Sequence, residues 1–200
     1  MRVKILAFCG YARVGKNTVA EAPCFNTGTD CMHTKWTHQA FANPLKSDVM
    51  SMIVGASKRI NLPKDTRPKW QWFHDAEKKE QIRPLLVEHG RFMRILDPDY
   101  WVKRMDSQHL AHDSDGEVTG SYIITDLRYK NEAEWVWKYG GTVVGILRPG
   151  YKPANGEEAR SLQLFNADYT LTNDGTKKEL WDKIAILAAT LGLIKKDDIK

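Results

Sequence analysis

The chain has 200 residues, of which 42% are hydrophobic and 28% charged, so its composition is that of an ordinary globular domain. Three cysteines cannot form a disulfide framework, and the longest apolar runs are shorter than a membrane span. These properties exclude a disulfide-rich mini-protein, a collagen and an integral membrane protein, and they predict a soluble, cytoplasmic domain without a membrane partner.

The net charge is +5, and its excess lies in one segment. Residues 57–105 contain 12 Lys and Arg against 7 Asp and Glu, whereas the rest of the chain contains 18 of each. A local basic surplus indicates contact with an anion, which could be nucleic acid, a membrane surface or a phosphorylated small molecule. A solvated helical face has the same composition and is the plainer interpretation of the segment alone.

The first half of the chain opens with a strand and then becomes largely helical. In chain order the sequence predicts a buried strand over residues 3–9, a short helix from 15 to about 22 that Pro23 ends, a loop over 24–32 and a strand over 34–41. A helix from 44 to about 54 and an irregular stretch over 55–68 follow. Two further helices are predicted, one over 70–89 with Gly90 as its stop and one from 97 to about 111. The helical stretch over 44–111 separates two strand-containing regions and includes the basic segment.

Strands return in the second half. The sequence predicts a polar turn over residues 112–120, a strand over 121–125, a helix over 131–139, a strand over 142–147, a loop over 148–166, a strand over 168–172 and an amphipathic helix over 176–191. Alternation of strands with helices predicts an α/β fold with a parallel sheet covered on both faces.

Residues 10–18 (GYARVGKNT) have the glycine, four residues, glycine, lysine spacing of a Walker A phosphate loop. Glycines let successive backbone N–H groups point at phosphate oxygens, and the helix N-terminus adds partial positive charge. Lys16 supplies a charge for the β- and γ-phosphates. Asn17 occupies the position that is usually Ser or Thr, so the hydroxyl of Thr18, one residue later, is expected to hold Mg²⁺. The sequence therefore predicts ATP and Mg²⁺ as cofactors. The predicted ATP-binding residues of the loop are Gly10, Ala12, Arg13, Val14, Gly15, Lys16, Asn17 and Thr18.

Asp126 follows the predicted strand 121–125, at the position of a Walker B carboxylate that holds the Mg²⁺. Arg128, two residues later, is expected on the same side, where it can meet a phosphate. An ordinary surface ion pair at a strand end is the alternative for these two residues.

The combination of motifs resembles the bacteriophage deoxynucleoside monophosphate kinases. GYARVGKNTVAE is similar to the phosphate loop of that family, FANPLK to its FADPLK motif, GRFMR to its G-T-x-x-R step, DYWV to its WV segment, ITDLRYKNEAEW to its strand-end D-V-R stretch, and TNDGTKKEL to its last strand-to-helix passage. These motifs follow the family's order over residues 10–180. The chain departs from the family pattern at Pro23, at Asn43, where the family has Asp, and at Arg91, where it has Thr.

The resemblance implies transfer of the ATP γ-phosphate to a (deoxy)nucleoside 5′-monophosphate, giving the diphosphate, in an adenylate-kinase-like P-loop fold. It implies one kinase domain with a core over residues 1–43 and 120–200, a helical acceptor-binding insertion over 44–112 and a lid over about 148–166. It also implies a homodimer in the host cytoplasm, with a deoxynucleotide substrate and no stable nucleic-acid partner.

Roles for individual residues accompany the resemblance. The predicted catalytic residues are Lys16, Arg13, Asp126, Arg128, Arg148 and Arg160. The predicted acceptor-binding residues are Phe41, Lys46, Trp70, Arg83, Arg94, Trp101 and Arg128, and Asn173 and Gly175 are added to the ATP site.

Two other functions remain open from the sequence. One is a P-loop kinase for another phosphorylated metabolite, such as phosphomevalonate or dephospho-coenzyme A, since those enzymes share parts of this architecture. The other is a kinase or ATPase that acts on nucleic acid, for which the basic segment is the supporting feature.

Overall fold

The structure, a computed structural model, describes residues 3–25, 36–64, 66–153, 159 and 166–195. The chain divides into two compact units. The first unit consists of Met1–Ala40 and Leu110–Lys200, and the second of Phe41–His109. The second unit has nearly the boundaries of the predicted insertion over 44–112, whose acceptor-binding role stays a prediction.

The described elements of the first unit are both strands and helices, and those of the second unit are helical. In chain order they are β1 (Lys4–Cys9), α1 (Lys16–Ala20), β2 (Thr37–Gln39), α2 (Ala42–Arg59), α3 (Ala76–Leu96), α4 (Tyr100–His109), β3 (Ala111–His112), β4 (Val118–Thr119), β5 (Ser121–Ile124), α5 (Lys130–Lys138), β6 (Thr142–Leu147), β7 (Tyr169–Thr172) and α6 (Lys177–Thr190), with 3₁₀ turns at Pro23–Phe25 and Trp70–Phe73.

The first unit is built on a five-stranded sheet with the strand order β2-β5-β1-β6-β7, in which every pair is parallel. The central strand β1 pairs with β5, where Ala7 lies opposite Ile124, and with β6, where Cys9 lies opposite Gly145. After β1 the chain passes to one side of the sheet, and after β5 it crosses to the other. The carboxyl end of β1 is therefore the topological switch point, where open α/β sheets bind ligands.

Helices cover both faces of this sheet, because successive residues of β1 point to opposite sides. Leu6 and Phe8 belong to the core that α1 and α6 close, together with Val19 and Ile184. Ile5 faces the other way, toward the α5 side, since a Cβ on Gly141 would meet both Ile5 and Val136. The predicted α/β fold with a covered parallel sheet is confirmed.

Two details of the first unit differ from the prediction. Helix α1 ends at Ala20 rather than near Ala22, and a buried 3₁₀ turn, Pro23–Phe25, follows where a loop was predicted. Residues 26–32 of that predicted loop lie outside the described residues. The polar stretch 112–120, predicted to be a turn, contains strands of a small antiparallel hairpin formed by β3 and β4.

In the second unit the predicted helix boundaries are wrong at two glycines. Helix α2 continues through Gly55 to Arg59, and a Cβ built on Gly55 would meet nothing within 4 Å, so this glycine neither ends the helix nor fills a close contact. Helix α3 starts only at Ala76, after Asp75 Oδ1 accepts the Lys78 N–H at 2.8 Å, and it runs through Gly90. Gly90 is not a helix stop but a packing position, because a Cβ there would lie 3.1 Å from Leu45 Cδ2 on α2.

Among the residues that the structure describes, no helix combines the length and the apolar character needed to cross a membrane.

Candidate phosphate-binding site

The loop between β1 and α1 has the backbone of a phosphate cradle. Gly10 and Gly15 have φ angles of 135° and 109°, values that side-chain-bearing residues rarely adopt. A Cβ on Gly10 would press on the carbonyl oxygen of Ile146, and a Cβ on Gly15 would lie 2.7 Å from Asn173 Nδ2. Both positions therefore require glycine for conformation and for space, and the loop curls at the carboxyl end of the central strand.

Arg13, at the tip of this loop, is exposed and has a φ of 64°. A non-glycine residue in the left-handed region carries a conformational cost of about 1–2 kcal/mol, and such strain clusters at ligand-binding sites. The sequence assigned Arg13 to the phosphates; the structure shows it exposed in this strained conformation, and its role there stays a prediction.

The Lys16 ammonium folds back over the loop. Its Nζ donates hydrogen bonds to the carbonyl oxygens of Gly10 and Tyr11, both at 2.7 Å. These charge-assisted bonds hold the cation above the cradle, where an anion that enters the loop meets it directly.

The last strand-to-helix passage supports the loop from the side. Asn173, predicted as an ATP-site residue, follows β7 and donates from Nδ2 to the Val14 carbonyl oxygen at 2.8 Å. The next residue, Asp174, accepts from Lys183 Nζ at 2.6 Å, and this hydrogen bond lowers the pKa of the Asp174 carboxyl below its ordinary value. Gly175 lies at the start of α6, where the Glu179 carboxylate, which accepts the Thr176 N–H at 2.6 Å, leaves no room for a Cβ.

Asp126 and Arg128 occupy the turn after β5, the strand next to β1. Counted onward from the registered pair Ala7 and Ile124, position 126 is level with Cys9, so Asp126 lies at the edge of the sheet where the phosphate loop begins. Asp126 is half-buried and Arg128 is exposed. Both residues therefore follow the strand that pairs with β1, and their roles at the metal and the phosphates stay predictions.

Glu132 holds this turn, and sequence reasoning missed it. The side chain is 3% exposed, and its Oε2 accepts the backbone N–H groups of Arg128 at 2.7 Å and Tyr129 at 3.0 Å. A glutamate at the third position of a helix typically bonds back to the cap. The usual Ser, Thr, Asp or Asn at the cap would have flagged this pattern, but here the cap residue is Tyr129.

Arg148 follows β6 directly, so it lies at the same edge of the sheet. It is exposed, and its guanidinium lies 4.7 Å from the centre of the Tyr151 ring. Arg160 and most of the predicted lid over 148–166 lie outside the described residues, so the lid stays a prediction.

Cys9, the last residue of β1, carries a thiol directly beneath the loop. Burial raises the pKa of this thiol from 9.0 to about 11, although the nearby Lys16 ammonium acts in the opposite direction. The Cys9 side chain is therefore a neutral packing group at physiological pH.

In the second unit, three helices meet at Gly90 of α3. The carbonyl oxygen of Gly90 accepts from Trp101 Nε1 at 3.0 Å and from Arg94 Nη1 at 3.3 Å, and Leu45 of α2 packs against the glycine. The structure therefore brings Arg94 and Trp101 together, with Lys46 as the residue next to Leu45. Trp101 is only 2% exposed, so in this structure its ring packs the unit rather than presenting a face to a ligand.

The other predicted acceptor residues are more scattered. Arg83 pairs with Glu80 at 2.8 Å and lies eleven residues, about 16 Å along a helix, from Arg94, so its role at the acceptor stays a prediction. Phe41 is buried at the start of α2, and Lys46, the fifth residue of that helix, is half-buried. Trp70 is 45% exposed and makes an edge contact with Phe73, with ring centres 4.9 Å apart.

A charged cluster inside the second unit was also missed. Asp48 of α2 accepts from Arg104 Nη2 of α4 at 2.8 Å, and His89 Nε2 of α3 lies 3.6 Å from the other carboxylate oxygen. Arg104 also donates to the Tyr100 hydroxyl at 2.9 Å. Asp48 and Arg104 are 56 positions apart in the sequence, which explains why no sequence pattern revealed this pairing.

A parallel sheet whose central strand leads into a glycine-rich loop, a lysine over that loop and a carboxylate after the neighbouring strand define a P-loop kinase-type α/β protein. Residues 71–184 match the family described as deoxynucleotide monophosphate kinase. This match covers more than half of the chain, and the protein belongs to that family.

Curated relatives agree with the family match. The chain is 33% identical over 114 residues to the deoxynucleotide monophosphate kinase of Enterobacteria phage T4, covering 56% of this chain and 46% of the relative. It is 30% identical over 106 residues to the enzyme of the same name from Escherichia phage RB69, covering 52% and 43%. The chain thus matches less than half of the length of these relatives.

Proposed function

We propose that this protein transfers the γ-phosphate of ATP to a deoxynucleoside 5′-monophosphate. The observation that carries the proposal is the family match over residues 71–184. The phosphate loop over residues 10–18 lies outside the matched segment, so its spacing and backbone are independent support for use of a nucleoside triphosphate.

The loop geometry supports a triphosphate on the first unit. The positive φ angles of Gly10 and Gly15 curl the backbone of the loop, and a Cβ at either position would clash with Ile146 or Asn173 beside it. Lys16 exchanges its two carbonyl partners for phosphate oxygens, and the exposed Arg13, Arg128 and Arg148 neutralise the charge of the transferring group. Because phosphoryl transfer needs mainly positioning and charge neutralisation, no dedicated nucleophile on the protein is required.

Mg²⁺ fits the donor set of the first unit. The Thr18 hydroxyl and the Asp126 carboxylate are oxygen ligands of the kind this cation prefers, and both residues belong to the loop edge of the sheet. When bound, Mg²⁺ would offset the negative charge of the phosphates. Glu132 keeps Asp126 in place through the N–H groups of the following turn.

The acceptor monophosphate is assigned to the second unit. Arg94 is the preferred phosphate ligand, because a guanidinium offers two parallel hydrogen bonds to an anion and this one is fixed at the Gly90 junction. Lys46, beside Leu45 at the same junction, is the second cation. We assign to Trp70, which is partly exposed, the contact with the acceptor base.

An acceptor panel with ATP and Mg²⁺ tests the proposal. The panel contains dTMP, dGMP, dCMP, dAMP, their hydroxymethylated variants, ribonucleotides and phosphomevalonate. Turnover of at least one deoxynucleotide, with little on phosphomevalonate, is expected. Turnover of phosphomevalonate alone would overturn the proposal, and tight, steeply salt-dependent binding of duplex DNA would favour a nucleic-acid enzyme instead.

Lys16→Ala identifies the loop as the source of activity. The variant loses the charge that neutralises the β- and γ-phosphates, so turnover is expected to fall by several orders of magnitude, equivalent to roughly 4 kcal/mol or more. Lys138→Ala, which removes an exposed lysine at the end of α5, is the matched control and should retain full activity. Activity of Lys16→Ala equal to that of the control would contradict the loop assignment.

The resemblance also leads us to propose a homodimer. Sedimentation equilibrium measures this directly, and a mass equal to the 22.9 kDa monomer across micromolar concentrations would contradict it.

A further inference from the structure

Helix α1, which carries the phosphate-loop lysine, is too short to be stable by its own hydrogen bonds. It has five residues, Lys16–Ala20, fewer than two helical turns. Helices of this length are unstable unless tertiary contacts hold them. The element that must fix Lys16 and Thr18 therefore depends on neighbouring residues for its position.

The carbonyl oxygen of Thr18 has lost its regular helical partner. In a continuing helix it would accept the N–H of Ala22, but Ala22 instead bonds to Val19 at 3.2 Å as the chain turns into Pro23. A long bond from the Glu21 N–H, at 3.3 Å, is the backbone contact that remains.

Trp181 of α6 supplies the missing donor. Its indole Nε1 donates to the Thr18 carbonyl oxygen at 2.7 Å, across 163 residues of sequence. Lys177, one turn earlier on α6, lies over the Trp181 ring at 4.4 Å and pairs with Glu21 at 3.1 Å, at the end of α1. Trp181 and Lys177 of α6 thus contact Thr18 and Glu21, at the end of α1, and join the two helices.

We infer that Trp181 is a positioning residue for the phosphate loop, acting through the Thr18 carbonyl to fix α1 for ATP binding. This inference rests on the proposed function and adds to it a residue outside the loop. Asn173 approaches the loop from the same passage through Val14, so α6 and the strand before it hold both the loop and the helix that follows. The donated hydrogen bond, rather than the bulk of the ring, is the active feature.

Two substitutions separate the hydrogen bond from the packing. Trp181→Phe keeps an aromatic ring and loses the donor. Trp181→His loses the outer ring and keeps a donor, because the imidazole Nε2 occupies the place of the indole Nε1 relative to the backbone. Trp137→Phe is the matched control, since Trp137 Nε1 also donates a bond, to Asp168 at 2.9 Å, but at the amino end of β7, away from the loop.

The measurements are the Kd of ATP by calorimetry without acceptor, the KM of each substrate, and the melting temperature. Trp181→Phe is expected to raise the Kd and KM of ATP by about threefold to tenfold, the value of one net hydrogen bond, with the acceptor KM unchanged. Trp181→His should stay closer to the wild type in ATP affinity than Trp181→Phe, and the control should match the wild type.

Three results would overturn the inference. They are ATP affinity unchanged in Trp181→Phe, equal losses for ATP and acceptor, and a greater loss of ATP affinity in Trp181→His than in Trp181→Phe, which would make packing the cause. A wild-type protein that binds no ATP would instead overturn the proposed function itself. Normal ATP binding by the wild type together with any of the three results defeats this inference alone.

Discussion

Replacement of Glu132 tests how the Asp126 turn is held. The buried carboxylate accepts the N–H groups of Arg128 and Tyr129, at 2.7 and 3.0 Å. A hydrogen bond to a charged group contributes about 1.5–3 kcal/mol, and a neutral one about 1 kcal/mol. Glu132→Gln keeps an acceptor oxygen and loses only the charge, so it is expected to lower the free energy of unfolding by about 1–3 kcal/mol. Glu132→Ala removes both bonds and should cost about 3–5 kcal/mol.

Glu134→Gln is the matched control on the same helix. Glu134 is exposed and pairs with Lys130 at 3.2 Å, an arrangement that contributes about 0.5 kcal/mol or less. Urea unfolding followed by circular dichroism gives the free energies, and a magnesium titration of activity reports on the Asp126 turn. Glu132→Gln should require more Mg²⁺ than the control. Equal unfolding free energies for Glu132→Gln and Glu134→Gln would refute the assignment of Glu132 as the residue that holds the turn.

Three further predictions follow from the geometry. Gly15→Ala forces a side chain into a φ of 109° and against Asn173, so it should destabilise the protein by about 2–4 kcal/mol. Gly55→Ala, in open space on α2, should instead stabilise the protein by up to about 1 kcal/mol. Equal effects of the two substitutions in urea unfolding would contradict this prediction. Burial raises the pKa of the Cys9 thiol from 9.0 to about 11, so between these pH values the thiol stays protonated in the folded state but ionises in the unfolded chain. The stabilisation present below pH 9 is therefore lost as the pH rises from 9 to about 11. Unfolding curves measured over that range should show this loss in the wild type and not in Cys9→Ala. Arg94→Lys should lower kcat/KM for the acceptor on the order of 100-fold and leave the ATP Kd unchanged. Arg91→Lys, which changes an exposed neighbour, should leave both quantities unchanged. Equal losses for both substrates in Arg94→Lys would exclude Arg94 as the acceptor ligand.

Local chemistry explains why much of this protein was predictable from its sequence. An apolar run, two glycines and a lysine at fixed spacing were enough to predict β1, the loop and the start of α1, since each depends on neighbours within a few residues. The parallel sheet followed from the alternation of strands and helices, and the position of Asp126 followed from the end of β5.

Tertiary contacts decided the rest, because they join residues that no local pattern relates. Gly90 is the residue type that typically ends a helix, yet its close packing against Leu45 makes it a point where α2 and α3 meet. Trp181 has the signature of an ordinary buried aromatic, and only the fold shows its indole N–H at the Thr18 carbonyl oxygen. The sequence by itself determined which residues form the phosphate loop, and the tertiary structure decided what holds that loop, because its supports come from helix ends and strand ends brought together only when the sheet is assembled.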